Sequence, residues 1–232
     1  MCGVAAERQF FIYVLFYLGI WKCLIKEGCR IIKNIIFDIG NVLLEWEPEK
    51  YLRGLYDINK VNKLMDLVYG SKHWQDADKG GVKFSALNNL LCEEHPDWTN
   101  ELGQLISREA MMTILIPKQE TIDFMYEMKN AGYKIYLLSN FPEECFSWVD
   151  EAYKFLSDVD GRVISAHVNL SKPDPKIYEL ILEKYGLEPS ETVFTDDMAV
   201  NVQAAKDAGI NAIQFTDFAS FRTQFDELLT RA

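Results

Sequence analysis

Four short polar clusters in this chain stand where chemistry is done. Asp38 closes the apolar run "IIKNIIFD", Ser139-Asn140 closes "YKIYLLSN", Lys172 lies in "SKPDP", and Asp196-Asp197 closes "TVFTDD". A carboxylate at the tip of a buried strand suits a nucleophile or a metal ligand. Lys172 would balance the charge of such a carboxylate. Asp38 with Asp196-Asp197 would hold a hard cation through oxygens, and Mg²⁺ prefers a few carboxylates together with substrate phosphate. The Ser139 hydroxyl and the loop amides beside it would face a phosphoryl oxygen. The set therefore points to Mg²⁺-assisted, in-line phosphoryl transfer to an aspartate. Taken singly, each residue has an ordinary role as a helix cap, a turn residue or a solvated charge. Their joint order is what carries the reading.

The elements that must position these residues alternate along the chain. Ile31–Asp38 reads as a buried strand, followed by strands at Tyr133–Leu138, Arg162–Val168, Thr192–Thr195 and Asn211–Phe215. Helical spacing over Thr121–Asn130, Lys176–Tyr185, Asn201–Ala208 and Phe218–Leu229 separates them, with Gly132, Gly186 and Gly209 as stops. This alternation predicts an α/β fold, a doubly wound parallel sheet covered on both faces. In such a sheet ligands bind at the carboxyl ends of the strands, where all four clusters fall.

Residues 47–117 break the alternation. They carry helical spacing only, and so read as a helical cap inserted after the first strand. The expected organisation is an apolar extension over residues 1–30, a core of 31–46 and 118–232, and a cap of 47–117. Glu45–Pro48 and Pro117 mark the crossings between cap and core. In the cap, "SKHWQDADKGG" offers His73, Trp74, Asp76, Asp78 and Lys79 toward the sheet. Trp74 would stack on a substrate ring or pack within the cap itself.

The 232 residues carry a net charge of -11, which argues against a general nucleic-acid partner. The five cysteines form no CxxC pair, and the three histidines are isolated. These features suggest reduced thiols in a cytoplasmic protein and no zinc site. The stretch "FFIYVLFYLGIWKCLI" is short for a membrane span of about 20 residues. Its readings are a membrane-associated helix over residues 10–25, a cleaved signal, or an extension from a start codon placed too far upstream.

The motifs resemble those of the haloacid dehalogenase superfamily from about Ile32 to the C-terminus. "IIFDIGNVLL" is similar to its first motif, "LLSN" to its second, "SKPDPKIY" to its third, and "VFTDDMAVNVQAAKDAGI" to its fourth. The helical insert resembles the family's C1-type cap. The "DD…N" form, with Gly40-Asn41, is similar to the subfamily of bacterial sugar-phosphate phosphatases of the α-glucose-1-phosphatase kind. The resemblance implies that Asp38 is the nucleophile and a Mg²⁺ ligand, and that the Gly40 carbonyl reaches the metal. It implies that Asp197 ligates Mg²⁺ directly, Asp196 supports it, and Asn201 orients the metal site. Ser139 and Asn140, with Asn41, would bind the phosphoryl group, and Lys172 would hold nucleophile and phosphate together.

In the commoner form of the pattern an aspartate stands two residues after the nucleophile and serves as acid and base. Here that position is Gly40. General acid–base catalysis is worth about 10²–10⁴-fold, so the loss is large without being fatal. The expected activity is hydrolysis of a small phosphorylated metabolite, a sugar phosphate, through an aspartyl-phosphate. A good leaving group, or an acid supplied by cap or substrate, would make up for Gly40. Glu45 is a weaker candidate for that acid. The competing readings are a 2-haloacid dehalogenase-like hydrolase and a catalytically weak phosphometabolite-binding protein.

Overall fold

Ile35, Ile36 and Phe37 are fully buried, yet they face opposite ways. In the computed structural model, which describes residues 32–231, they lie on β1 (Asn34–Phe37), with Ile35 and Phe37 in one apolar cluster and Ile36 in another. A strand alternates its side chains, so a continuous apolar run implies helices on both faces. β1 pairs in parallel with β2 (Lys134–Ser139) and β4 (Thr192–Asp196). β3 (Gly161–Ile164) flanks β2 and β5 (Asn211–Gln214) flanks β4, giving the order β3-β2-β1-β4-β5. All pairings are parallel. The chain winds outward from β1 to β3 and then returns to β4, so the switch point lies between β1 and β4. Asp38 and Asp196 stand at that point, just past β1 and at the end of β4.

Six helices follow β1: α1 (Pro48–Arg53), α2 (Ile58–Val68), α3 (Lys72–Asp78), α4 (Phe84–Glu94), α5 (Thr99–Leu105) and α6 (Arg108–Ile114). Several begin on side chains that accept free amides: Asp57 for α2, Ser71 for α3 and Ser107 for α6. The two crossings to this segment run side by side. Leu44 bridges both Gly40 and Pro117, and the Glu45 amide donates to the Ile116 carbonyl at 2.7 Å.

The remaining helices are α7 (Gln119–Asn130), α8 (Glu143–Ala152), α9 (Ser165–Val168), α10 (Pro175–Tyr185), α11 (Ala199–Asp207) and α12 (Phe218–Arg231). Phe124 of α7 meets Phe221 and Phe225 of α12 edge-on at 5.2 and 5.1 Å, covering the Phe37 face. Ile177, Tyr178 and Ile181 of α10 and Ala205 of α11 cover the Ile36 face. Full burial of each large apolar side chain contributes about 1.5–3 kcal/mol.

Two elements differ from the sequence expectation. The strand expected over Arg162–Val168 ends at Ile164 and turns into α9. β2 offers pairing only as far as Ser139, opposite Ile164, and the Ser165 hydroxyl is instead drawn to the Phe141 amide at 2.9 Å. α8 fills a stretch for which no element is read from the sequence. Its apolar residues Cys145, Phe146, Trp148, Val149 and Ala152 do fall at helical spacing, with Trp148 packed against Phe84 of α4 at 5.5 Å, so the helix was legible and was missed. Among the described residues no helix is long and apolar enough to cross a membrane. The apolar N-terminal stretch, including residues 10–25, lies outside the described residues.

Candidate active site

The strand ends bring Asp38, Ser139, Lys172, Asp196 and Asp197 together, although as many as 159 positions separate the first from the last in sequence. Asp38 Oδ1 accepts from Ser139 Oγ at 2.7 Å, from Lys172 Nζ at 2.9 Å and from the Ile39 amide at 2.7 Å. Among the described residues no hydrogen bond reaches Oδ2. One carboxylate oxygen is thus anchored and the other is left for chemistry.

Lys172 is 4% exposed and also meets Asp196 Oδ2 at 2.6 Å. Burial works to lower its pKa, but Asp38 and Asp196 outweigh it and the net direction is upward. The lysine therefore carries its charge. Asp196 is fully buried and saturated: Met198 N and Asn201 Nδ2 donate to Oδ1, and Lys172 and Asn201 Nδ2 to Oδ2. Its geometry is that of an organiser. Tyr178 Oη fixes Asn201 in turn through its carbonyl, at 2.9 Å.

Two amides expected beside the phosphoryl group are already committed within the protein. Asn41, in left-handed backbone at φ 56°, donates from Nδ2 to Asp197 Oδ2 at 2.8 Å and accepts the Trp46 amide at 3.0 Å. Asn140 clamps the Lys172 backbone from both sides, donating to its carbonyl at 2.9 Å and accepting its amide at 2.8 Å. Both line the cavity, but their side chains position Asp197 and Lys172.

Asp38, Asp196 and Asp197 present carboxylate oxygens within 4.8 Å of one another. Burial pushes the Asp38 carboxyl up to about 7, with Asp196 adding to the rise against Lys172 and Ser139. Burial likewise raises Asp197. Three carboxylates thus share one ammonium, and two of them resist ionisation. An all-oxygen set short of positive charge suits a hard divalent cation such as Mg²⁺.

A cavity of about 240 Å³ opens above these residues. Its floor is polar, and its walls are largely apolar: Trp46, Trp74, Met111, Leu115, Phe141 and Met198. Trp74 packs against Trp46, Tyr69 and Phe84 at 5.6, 4.8 and 5.8 Å, so it belongs to an aromatic cluster and also faces the cavity. Of the other residues singled out in that helix and loop, Asp78 reaches the cavity. His73 turns to Glu94, and Asp76 pairs with Lys72. Glu45 lies in the crossing and does not line the cavity. Apart from Trp74, the walls escape sequence reading because ordinary apolar residues carry no chemical signature.

A doubly wound parallel sheet with a lysine-bridged acidic cluster at its switch point defines an α/β protein whose ligand site lies at the carboxyl ends of its strands. The chain belongs to the haloacid dehalogenase-like hydrolase family, whose model matches residues 32–209. It is 27% identical over 198 residues to the sesquiterpene phosphatase astK of Aspergillus oryzae, covering 82% of this chain and 92% of that protein. It is 26% identical over 216 residues to the D-ribitol-5-phosphate phosphatase of Bacteroides thetaiotaomicron, covering 85% and 98%. Among solved structures, the HAD family enzyme BT-2542 of Bacteroides thetaiotaomicron, in complex with magnesium and inorganic phosphate, is similar at TM-score 0.63 and 22% identity. That match covers 82% of this chain and 98% of the other, and it supports the fold.

Proposed function

We propose that the protein is a Mg²⁺-dependent phosphomonoesterase acting on a small phosphorylated metabolite. The observation that carries this reading is the state of Asp38: Oδ1 is held by Ser139 and Lys172, and Oδ2 is free beneath the cavity. Oδ2 attacks phosphorus, the ester oxygen leaves toward the walls, and an aspartyl-phosphate forms on Asp38. Water then cleaves it. The Ser139 hydroxyl and the Lys172 ammonium stabilise the phosphoryl oxygens. Asp38, Asp197 and the Gly40 carbonyl would hold Mg²⁺, with Asp196 and Asn201 behind them, and the bound ion would supply neutralisation of phosphoryl charge. The helices of residues 47–117 act as the cap that excludes water.

The dehalogenase reading is disfavoured by charge. Lys172 is the one cation among the lining residues, and it is committed to Asp38 and Asp196. A haloacid carboxylate would find no free cationic partner there.

The substrate body has two readings. A sugar phosphate fits the kinship with D-ribitol-5-phosphate phosphatase and an aromatic wall on which a sugar face stacks. The apolar character of the walls favours a phosphate ester of an apolar alcohol, in keeping with the sesquiterpene phosphatase kinship. Phosphate release from sugar phosphates, a prenyl phosphate and nitrophenyl phosphate, with and without Mg²⁺, tests the proposal beside Asp38→Asn. Mg²⁺-dependent release abolished by Asp38→Asn supports it, and the ratio of kcat/KM values chooses the body. No release from any ester would leave a binding protein.

A further inference from the structure

Cleaving an unactivated phosphate ester calls for a proton on the leaving oxygen, and Gly40 has none to give. Asp38 is the nucleophile in the reading above, Lys172 is paired with two carboxylates, and Asp197 belongs to the cation site. Burial pushes the Cys145 thiol far above neutrality. Of the titratable side chains lining the cavity, Asp78 is left. We infer that Asp78 of α3 is the acid–base residue of this enzyme, taking the role that position 40 cannot fill. The inference rests on the phosphomonoesterase reading.

The placement is built. In-line attack by Asp38 points the leaving oxygen away from the nucleophile, into the cavity that Trp74 and Asp78 of α3 help to line. These two stand four residues apart and so share one face of the helix. The Asp78 carbonyl accepts from Ser165 Oγ, which is fully buried and also accepts the Phe141 amide. One hydroxyl thereby ties the end of α3 to the ends of β2 and β3. Two residues on, Gly80 takes φ 79°, and a Cβ there would run into the Ala166 carbonyl, so the backbones touch. At Gly40 the Cβ direction is open, with no heavy atom within 4 Å. Burial raises the Asp78 carboxyl to about 7 and Asp38 adds to the rise, against a hydrogen bond from Trp74 and the charge of Lys172. That range suits an acid that must also act as a base.

The step balances. As Asp38 Oδ2 bonds to phosphorus, the bond to the ester oxygen breaks and Asp78 passes its proton to that oxygen, giving the alcohol. The Asp78 carboxylate then takes a proton from water as the water oxygen attacks phosphorus. The bond to Asp38 breaks, releasing phosphate and restoring both aspartates.

The test uses the full chain in Mg²⁺, with an alkyl phosphate and a series of phenyl phosphates of graded leaving-group acidity. In Asp78→Asn, turnover of the alkyl ester should fall about 10²–10⁴-fold, while first-turnover release of nitrophenolate falls less than about tenfold and is followed by slow steady turnover. Equal loss across the series, or none, would overturn the inference. Wild type alone also tests it, should the variant fail to fold: its rates should depend weakly on leaving-group acidity, and a steep dependence would refute a proton donor. If wild type releases no phosphate, the phosphomonoesterase reading itself has failed, and if Asp38→Asn stays active, the aspartyl-phosphate route on which Asp78 would act has failed. Loss of the Asp78 claim alone leaves that reading intact.

Discussion

Asn41 Nδ2 lies 2.8 Å from Asp197 Oδ2, joining positions 156 residues apart in the chain. The same amide accepts from Trp46, so it couples the acidic cluster to the start of the inserted helices. Residues that hold a metal ligand in place typically matter 10–100-fold for metal affinity. Asn41→Ala should therefore raise the Mg²⁺ concentration for half-maximal activity about tenfold or more, read from a Mg²⁺ titration. Asn41→Gly keeps the left-handed backbone accessible and should show the same metal effect with a smaller loss of Tm.

Lys172→Met should abolish turnover and destabilise the fold. It leaves Asp38 and Asp196 buried and facing each other without their ammonium. Removing one partner of a buried ion pair costs about 3–5 kcal/mol. Urea unfolding in chelator would measure the loss. Added Mg²⁺ should recover part of it.

Stability should fall with rising pH when the cation is removed. Asp38 and Asp78 are both raised to about 7, above their unfolded values, so the folded protein holds protons that the unfolded chain gives up. Their contribution is fully present below about pH 4 and is lost as pH rises through about 7. In chelator, Tm should drop between pH 5 and pH 8, and Asp38→Asn should flatten part of that slope. Mg²⁺ binds the ionised carboxylates, so it should raise Tm more at pH 8 than at pH 5.

Ser165→Ala should loosen the helical segment over the site. It leaves the Phe141 amide and the Asp78 carbonyl without their shared hydroxyl. An unsatisfied buried group costs about 1–3 kcal/mol, which thermal unfolding would register. The kcat for an alkyl ester should fall more than that for nitrophenyl phosphate, because Asp78 loses its anchor.

Gly40→Asp should fold normally. No heavy atom lies within 4 Å of a Cβ at this position, and the backbone there is outside the left-handed region. In the Asp78→Asn background it should restore part of the lost alkyl-ester turnover, measured as phosphate release.

The sheet was readable because its three central strands are apolar runs closing on polar residues, as in "NIIFD", "IYLLSN" and "TVFTDD". The ends of such runs shift with pairing. β3 stops at Ile164 because β2 has no partner residue beyond Ser139. α8 carried its own signal, with Cys145, Trp148, Val149 and Ala152 at helical spacing, and the break in the strand–helix alternation beside the Ser139-Asn140 cluster drew the reading away from it.

The sequence by itself determined which polar residues gather at the strand ends, because strand order and a parallel sheet place them there wherever side chains point. It also determined that position 40 brings no carboxyl. Tertiary structure decided which atoms remain free. Asp38 keeps one oxygen, Asn41 and Asn140 spend theirs on Asp197 and Lys172, and Asp78 enters the cavity while His73 turns away. Those outcomes depend on pairings between residues as far apart as Asn41 and Asp197, 156 positions in sequence. No local pattern encodes such pairings, because each is set by the packing of elements that meet only in the folded chain.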